Sequence, residues 1–334
     1  MVSIRGYVIK EQLYNGSRTL VYRAVREHNQ KLVVLKLLKN VYPSFNELVQ
    51  FRNQYTIAKN LNYPGIIEAY SLEAYHNGYA LVMEDFGGIS LKDYFDSRQV
   101  QGSASLQNFL QIAISLCGVL EILYQQRIIH KDIKPANILI NPETEQVKLI
   151  DFSIASLLPK ENQEIKNPNS LEGTLAYISP EQTGRMNRGI DYRTDFYSLG
   201  VTFYELLTGE LPFQSDDAME LLHCHIAKSP PEINKSHPNP LTQLLQQKEP
   251  LSEYLFQRRS ANTSLGDGNR HPQLDSPQRT ALLGKERGQE EQEKQEKQEI
   301  PQVLSDIVMK LMAKNAEDRY QSALGLKHDL ETCL

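Results

Sequence analysis

Residues 128 to 140 read IIHKDIKPANILI. Two β-branched isoleucines open the segment and an apolar Ile-Leu-Ile closes it, so outside its centre it reads as buried. Between them sit a histidine, two lysines, a proline and two acceptors five residues apart, Asp132 and Asn137. Buried polar groups need partners, and a buried charge without one costs several kcal/mol. The segment therefore requires a loop between two buried runs, with its polar side chains collected for a purpose.

The surrounding pattern supplies two kinds of scaffold. Residues 7 to 38 carry three β-type runs, YVIKEQLY, TLVYRAVRE and KLVVLKLL, with the turn signal NGSR between the first two. Residues 45 to 61 switch to a helical period through Phe45, Leu48, Val49, Ile57, Ala58 and Leu61, and stop before Pro64-Gly65. Two further strands follow, IIEAYSLEAY and GYALVMED, separated by His76-Asn77-Gly78. Beyond them the chain becomes mainly helical. SLQNFLQIAISLCGVLEILYQQ is a long apolar-periodic helix, and DFYSLGVTFYELLTG is apolar nearly all round, which predicts a core helix with Gly209 as its C-cap.

Residues 237 to 299 are rich in Pro, Gln, Ser, Asn and Gly and end in KERGQEEQEKQEKQE. Such a tract buries too little apolar area to offset its ordering entropy, so it is expected to be disordered or a lone solvated helix, a polar insertion within the domain. Residues 300 to 331 then read as helical throughout. The expected layout is α+β and bilobal: a small β-rich lobe over residues 1–86, a larger helical lobe begun at 87–236, the insertion at 237–299, and final helices at 300–334. A cleft between two lobes is a common place for a ligand.

Composition narrows the function. The chain has 334 residues, 40% hydrophobic and 23% charged, with a net charge of −5. That charge gives no basic footprint for nucleic acid. The longest apolar stretches, such as YSLGVTFYELL, are about half the length of a membrane span, and this one carries Glu205; no signal-like segment opens the chain, so no span and a cytoplasmic location are expected. Three scattered cysteines, Cys117, Cys224 and Cys333, argue against a disulfide framework. His223-Cys224-His225 clusters soft ligands, but adjacent helical residues point in different directions, so the triplet reads as ordinary helix.

Five separated pieces share one order: Lys36 ending VVLK, Asp132 in HKD, Asn137 five residues later, Asp151 in LIDFS, and Glu181 of SPE thirty residues beyond Asp151. Together they resemble the eukaryotic-type Ser/Thr protein kinase pattern of a strand Lys, H-R-D-x-x-x-x-N, D-F-G and A-P-E. The resemblance covers nearly the whole chain outside 237–299. It implies the bilobal protein-kinase fold and transfer of the γ-phosphate of ATP to protein Ser/Thr hydroxyls in signal transduction.

The same resemblance implies the site. Asp132 accepts or orients the hydroxyl proton, Lys134 lies near the γ-phosphate, and Lys36 holds the α- and β-phosphates. Thr174 of GTLAYISPE matches the Ser/Thr type. Asn137 and Asp151 supply hard oxygens for Mg²⁺. Leu13, Val21, Val34 and Leu139 sandwich the base, Gly16 belongs to the phosphate loop, and Met83 stands at the gatekeeper position before Glu84 and Phe86, whose backbone pairs with adenine. Asp195 and a Glu181–Arg319 pair resemble the family's structural anchors. The stretch from NLNYPGII to YELLTGELPF further resembles the kinase modules of large cyanobacterial proteins. There, a kinase precedes an ATPase-like region, a GAF sensor and a histidine kinase, which implies fused or separate signalling partners of that kind.

Four positions depart from the pattern. YNGSRTLV keeps only Gly16 and Val21 of the Gly-rich loop, Gln54 stands where a glutamate pairs with Lys36, Ser153 replaces the glycine of D-F-G, and Lys131 replaces the arginine of H-R-D. A Lys36–Gln54 bond is neutral and weaker by about 1 kcal/mol. Lysine at 131 acts only as a point charge, so activity is expected to depend weakly on loop phosphorylation, with Ser170 the residue to test. The alternative these departures favour is a pseudokinase that binds nucleotide and a partner without transfer.

Overall fold

The computed structural model describes residues 3–101, 106–157, 174–186, 188–233 and 300–334. The polar tract 237–299 and Ser170 lie outside the described residues. Five strands, β1 (Tyr7–Asn15), β2 (Thr19–Arg26), β3 (Leu32–Leu38), β4 (Ala69–Tyr75) and β5 (Gly78–Glu84), form one antiparallel sheet in the order β1-β2-β3-β5-β4. The central strand β3 is almost entirely apolar, and its Val33, Leu35 and Leu37 are buried on one face together with Ala80 and Val82. Its Lys36 projects to the other face, opposite Val21 on β2 and Leu81 on β5.

Helix α1 (Phe45–Asn60) crosses that second face. Ser44 and Glu47 start it with a capping box, each side chain satisfying the other's backbone N–H. Its buried residues are Phe51, Gln54, Ile57 and Ala58. The sequence period places Phe45 and Val49 on the apolar face, but here both are exposed, Phe45 at 80%. The buried side of α1 is instead set by Phe51, Gln54, Ile57 and Ala58, while Leu48 of its first turn lies beside Gly78 of β5.

The helical lobe is built on α3 (Leu106–Gln125) and α4 (Arg193–Thr208). By length and composition α3 is apolar enough to cross a membrane. The expectation that no stretch is long enough passed over it, because Gln111, Ser115 and Glu121 punctuate its apolar residues. Nine of its residues are buried in the core, and Phe109 meets Phe203 of α4 edge to face at 5.2 Å. Helix α4 is buried on nearly every side and ends where Gly209, at φ 78°, donates its N–H to Glu205 O. Gly200 of α4 admits the backbone of a later helix: a Cβ there would collide with Leu311 and Met312.

Residues 300–334 pack into this same lobe. They are not one continuous helix. α6 (Gln302–Leu311) lies on α4, a 3₁₀ turn covers Ala316–Asp318, and α7 (Ala323–Glu331) lies on α3. α5 (Ala218–Ala227) precedes them in the chain. The break between α6 and α7 has a cause. Arg319 is fully buried and donates to both Glu181 carboxylate oxygens at 2.6 and 2.9 Å, and to the carbonyls of Ala313, Lys314 and Arg193. A continuing helix would carry its guanidinium away from those acceptors and leave a buried charge unpaired.

Arg319→Ala is therefore expected to destabilise the chain by about 3–5 kcal/mol in denaturant unfolding, because it strands Glu181. Lys327→Ala, which breaks an exposed i,i+4 contact to Glu331 at 3.7 Å, is expected to cost under about 0.5 kcal/mol in the same measurement.

Candidate active site

Helix α2 (Leu91–Gln101) follows the two-residue strand β6 (Ile89–Ser90), and after α3 the chain enters β7 (Ile128–Ile129). A 3₁₀ turn at Pro135–Asn137 leads to β8 (Ile138–Ile140), which hairpins to β9 (Val147–Leu149). The polar centre of the opening segment thus hangs as a loop between two buried strands. Its anchor is Asp195 in the first turn of α4, whose two carboxylate oxygens accept from the N–H groups of His130 and Lys131 at 2.8 Å each. Burial raises the Asp195 carboxyl above its usual range, although His130 and the two N–H groups act in the opposite direction. The anchored loop turns sharply, with Lys131 at φ 67°. His130 accepts from Asp132 N–H at Nδ1, approaches the Ile150 carbonyl at 3.0 Å through Nε2, and meets Phe152 edge-on at 4.9 Å.

That loop places Asp132 at the centre of a polar cluster. Its Oδ2 accepts from Lys134 Nζ and Asn137 Nδ2, both at 2.7 Å. Its Oδ1 accepts from the N–H and hydroxyl of Thr174 at 3.1 and 3.0 Å, and Lys134 also reaches that hydroxyl. Asn137 turns its Nδ2 toward Asp132, so its Oδ1 points away from that carboxylate. The Ile150 N–H donates to the Asn137 carbonyl at 2.9 Å, which sets Asn137 next to the start of the Asp151 segment.

Asp151 follows β9 at φ 65°, a left-handed conformation that Asp tolerates better than most residues. Its Oδ2 lies 2.9 Å from Lys36 Nζ, and Lys36 also donates to Gln54 Oε1 at 2.9 Å. Burial would push the Asp151 carboxyl up, but the Lys36 charge and the bonds from Lys36 and Ser153 outweigh it and hold the value at about 2. Asp151 is therefore ionised, and its side chain remains 26% exposed to the cleft. Glu47, the one acidic residue on α1, is committed to the capping box and leaves the Lys36 contact to Gln54.

Lys36, Asp132, Lys134, Asp151, Ser153 and Thr174 line one cleft of about 740 Å³, with Ser17, Arg18 and Thr19 of the β1–β2 turn above. The residues expected around a base do not line this cavity; they lie on the sheet and hinge beside it. Val21 stands opposite Lys36 and Val34 opposite Met83 in the strand register. Leu13 is 42% exposed on β1, while Leu139 of β8 is half-buried beneath. Of the hinge groups, the Glu84 N–H donates to Glu68 O, and the Phe86 carbonyl accepts from Asn141, so both are already engaged. The Phe86 N–H has no intramolecular partner among the described residues.

The carboxylates of Glu84 and Asp85 are both engaged, and Glu84 also accepts from the Glu68 N–H at 2.7 Å. Arg23 of β2 pairs with Asp85 at 2.5 and 3.3 Å, and Lys148 of β9 pairs with Glu84 at 2.5 Å. Arg23 also bonds Glu11 of β1. The turn over the cleft is closed by Gly16 N–H donating to Thr19 O, and Lys39 ties it from behind through Asn15 Oδ1 and Gly16 O at 2.9 and 3.2 Å. A Cβ on Gly16 would meet the ring of Tyr14, an exposed side chain that can swing aside, so the close approach there does not by itself demand glycine. Sequence reasoning gave no role to Lys39 or Asn53, whose only signal was adjacency to residues already singled out, and it took His130 only as the first letter of the HKD motif.

The triplet at 223–225 divides as helical geometry requires. His223 is exposed, while Cys224 and His225 are buried, and His225 Nδ1 meets the Tyr197 hydroxyl at 3.0 Å.

The family model for the protein kinase domain matches residues 7–330. The chain belongs to the protein kinase domain family. Among curated relatives, a Clostridium perfringens protein named "Probable serine/threonine-protein kinase CPE1738" is 31% identical over 268 residues, 78% of this chain and 37% of that protein. Serine/threonine-protein kinase PrkC of Bacillus subtilis is 31% identical over 236 residues, 70% of this chain and 35% of that protein. PknB of Mycolicibacterium smegmatis is 33% identical over 238 residues, 69% of this chain and 37% of that protein. The chain thus spans little more than a third of the length of these kinases. Kinase-family domains generally use ATP with Mg²⁺, and the donor types here suit both: an ionised carboxylate at Asp151 and the Asn137 amide oxygen, whose NH₂ faces Asp132, for a hard cation, with the Lys36 ammonium for phosphate.

The Asp151 value fixes a pH dependence. A carboxyl held below its ordinary value contributes stability that is present above about pH 4 and lost as pH falls toward 2. The melting-temperature difference between wild type and Asp151→Asn is expected to stay constant above about pH 4 and to shrink below it.

Proposed function

We propose that this chain is a Ser/Thr protein kinase that transfers the γ-phosphate of ATP to serine or threonine hydroxyls of protein substrates. The observation that carries the reading is the gathering of Lys134, Asn137 and Thr174 around the Asp132 carboxylate, in the same cleft as the Lys36–Asp151 pair. Phosphoryl transfer asks mainly for positioning and for charge stabilisation where oxygens become negative. Asp132 receives the hydroxyl proton of the acceptor, its orientation fixed by Asn137 and Thr174. Lys134, bonded to both Asp132 and Thr174, faces the charge that develops on the transferring group. Lys36 binds the α- and β-phosphates, with Gln54 holding its ammonium in place.

Asn137 and Asp151 would hold Mg²⁺, which when bound neutralises charge on the phosphate oxygens. Leu13, Val21, Val34 and Leu139 enclose the base, Met83 limits its depth, and the backbone of Glu84 and Phe86 reads its edge. Gly16 lets the turn approach the phosphates. Residues 1–86 form the small lobe, 87–236 and 300–334 together form the large one, and 237–299 is an insertion between its helices. The packing of α6 on α4 and the Glu181–Arg319 pair support that division. The natural setting of the domain is a signalling protein with fused or separate sensor and histidine-kinase partners, on the strength of the cyanobacterial resemblance.

The deciding measurement is transfer of labelled γ-phosphate to a generic Ser/Thr protein substrate. Wild type is expected to transfer, with Asp132→Ala reduced by about 10²–10⁴-fold and Asp151→Ala reduced as severely. Thermal stabilisation by ATP and Mg²⁺ without any transfer would overturn the kinase reading in favour of a pseudokinase.

Gln54→Glu is expected to raise kcat/KM by up to about tenfold, because a charge-assisted partner for Lys36 is stronger by about 1 kcal/mol. Ser170→Ala, checked alongside mass spectrometry of the purified chain, is expected to leave the rate within about twofold, since Lys131 cannot clasp a phosphate bidentately.

A further inference from the structure

Asn53 precedes Gln54 on α1, and none of the assignments above uses it. Its Nδ2 lies 2.8 Å from the carbonyl of Ala155, 3.2 Å from that of Ser153 and 3.4 Å from that of Phe152. These three residues directly follow Asp151. Three carbonyl oxygens converging on one point repel each other unless a donor stands among them, and an amide NH₂ offers two hydrogens to share. The segment is a turn, closed by Ala155 N–H donating to Phe152 O at 3.3 Å. It begins at the left-handed Asp151 and contains Ser153, which restricts its backbone more than glycine would.

Helix α1 therefore grips the Asp151 segment by two separate routes. One runs through side chains, from Gln54 to Lys36 to Asp151, and its first link is a neutral hydrogen bond. The other runs through the backbone, from Asn53 to residues 152–155. We propose that Asn53 is a positioning residue: its carboxamide clasps α1 to the turn after Asp151 and so fixes the Asp151 carboxylate for its ligand, supplying the attachment that the uncharged link at Gln54 leaves weak. The proposal rests on the kinase reading for its effect on transfer, but not for the clasp itself.

Two variants separate a donor from a filler. Asn53→Ala removes the side chain. Asn53→Asp keeps its shape but replaces the NH₂ by an oxygen aimed at three carbonyls. Asn60→Ala, which loses only a contact within α1 to Thr56 O, serves as the control. Hydrogen–deuterium exchange of peptides spanning 151–157 in the ligand-free chain is expected to quicken by about tenfold in Asn53→Ala, and by at least as much in Asn53→Asp. The Mg²⁺ concentration for half-maximal transfer is expected to rise by a similar factor, with the KM for protein substrate within about twofold of wild type. Exchange within twofold of wild type in both variants overturns the clasp, as does an Asn53→Asp chain that matches wild type in exchange and Mg²⁺ requirement. If wild type itself transfers no phosphate, the kinase reading fails, and the exchange measurement alone still decides the clasp.

Discussion

A single buried carboxylate, Asp195, organises the polar side of this protein. It sits at the start of the most buried helix and accepts from two consecutive backbone N–H groups, those of His130 and Lys131. Those bonds fix a loop whose ends are already sunk as β7 and β8. With both ends and the middle fixed, the intervening side chains have little freedom in where they point. Asp132, Lys134 and Asn137 are thus positioned from below by the large lobe, independently of the small one.

The small lobe meets them from above by a different logic. β3 is buried on one face, so the period of two sends Lys36 to the other, where α1 and Asp151 wait. The final residues of the chain contribute from further away. Arg319 reaches Glu181 from the turn between α6 and α7, and Thr194 of α4 donates to that same carboxylate at 2.8 Å. Distant parts of the sequence are in this way tied to one buried acid. Removing either partner of such a pair strands a charge, which is why the pair defines where the helices must break.

Much of this was legible in the residues because it is written in period and punctuation. The alternation of residues 7–38, the turn at His76-Asn77-Gly78 and the C-cap at Gly209 each have a local cause, and the described strands and helices follow them. What the sequence hid is non-local. Phe45 and Val49 keep the helical period of α1 yet face water, because the side that α1 buries is chosen by the sheet it packs on and not by its own period. The stretch after residue 300 carries helical composition throughout, but the demands of Arg319 interrupt it. Asn53 looks like any polar residue on a half-buried helix. Only the folded turn after Asp151 gives it three acceptors, and no spacing rule anticipates that.

The contact between the ammonium at 36 and the carboxylate at 151 has one more consequence. In the resting protein these opposite charges satisfy each other in a cleft partly shielded from water. An anion that entered alone would draw the ammonium away and abandon the carboxylate; a cation alone would do the reverse. Either exchange carries an electrostatic penalty that a visitor bearing both signs avoids, because it replaces one neutral arrangement with two. By electrostatics alone, such a pair would favour a polyanion and its counter-cation arriving as a unit over their arrival in succession.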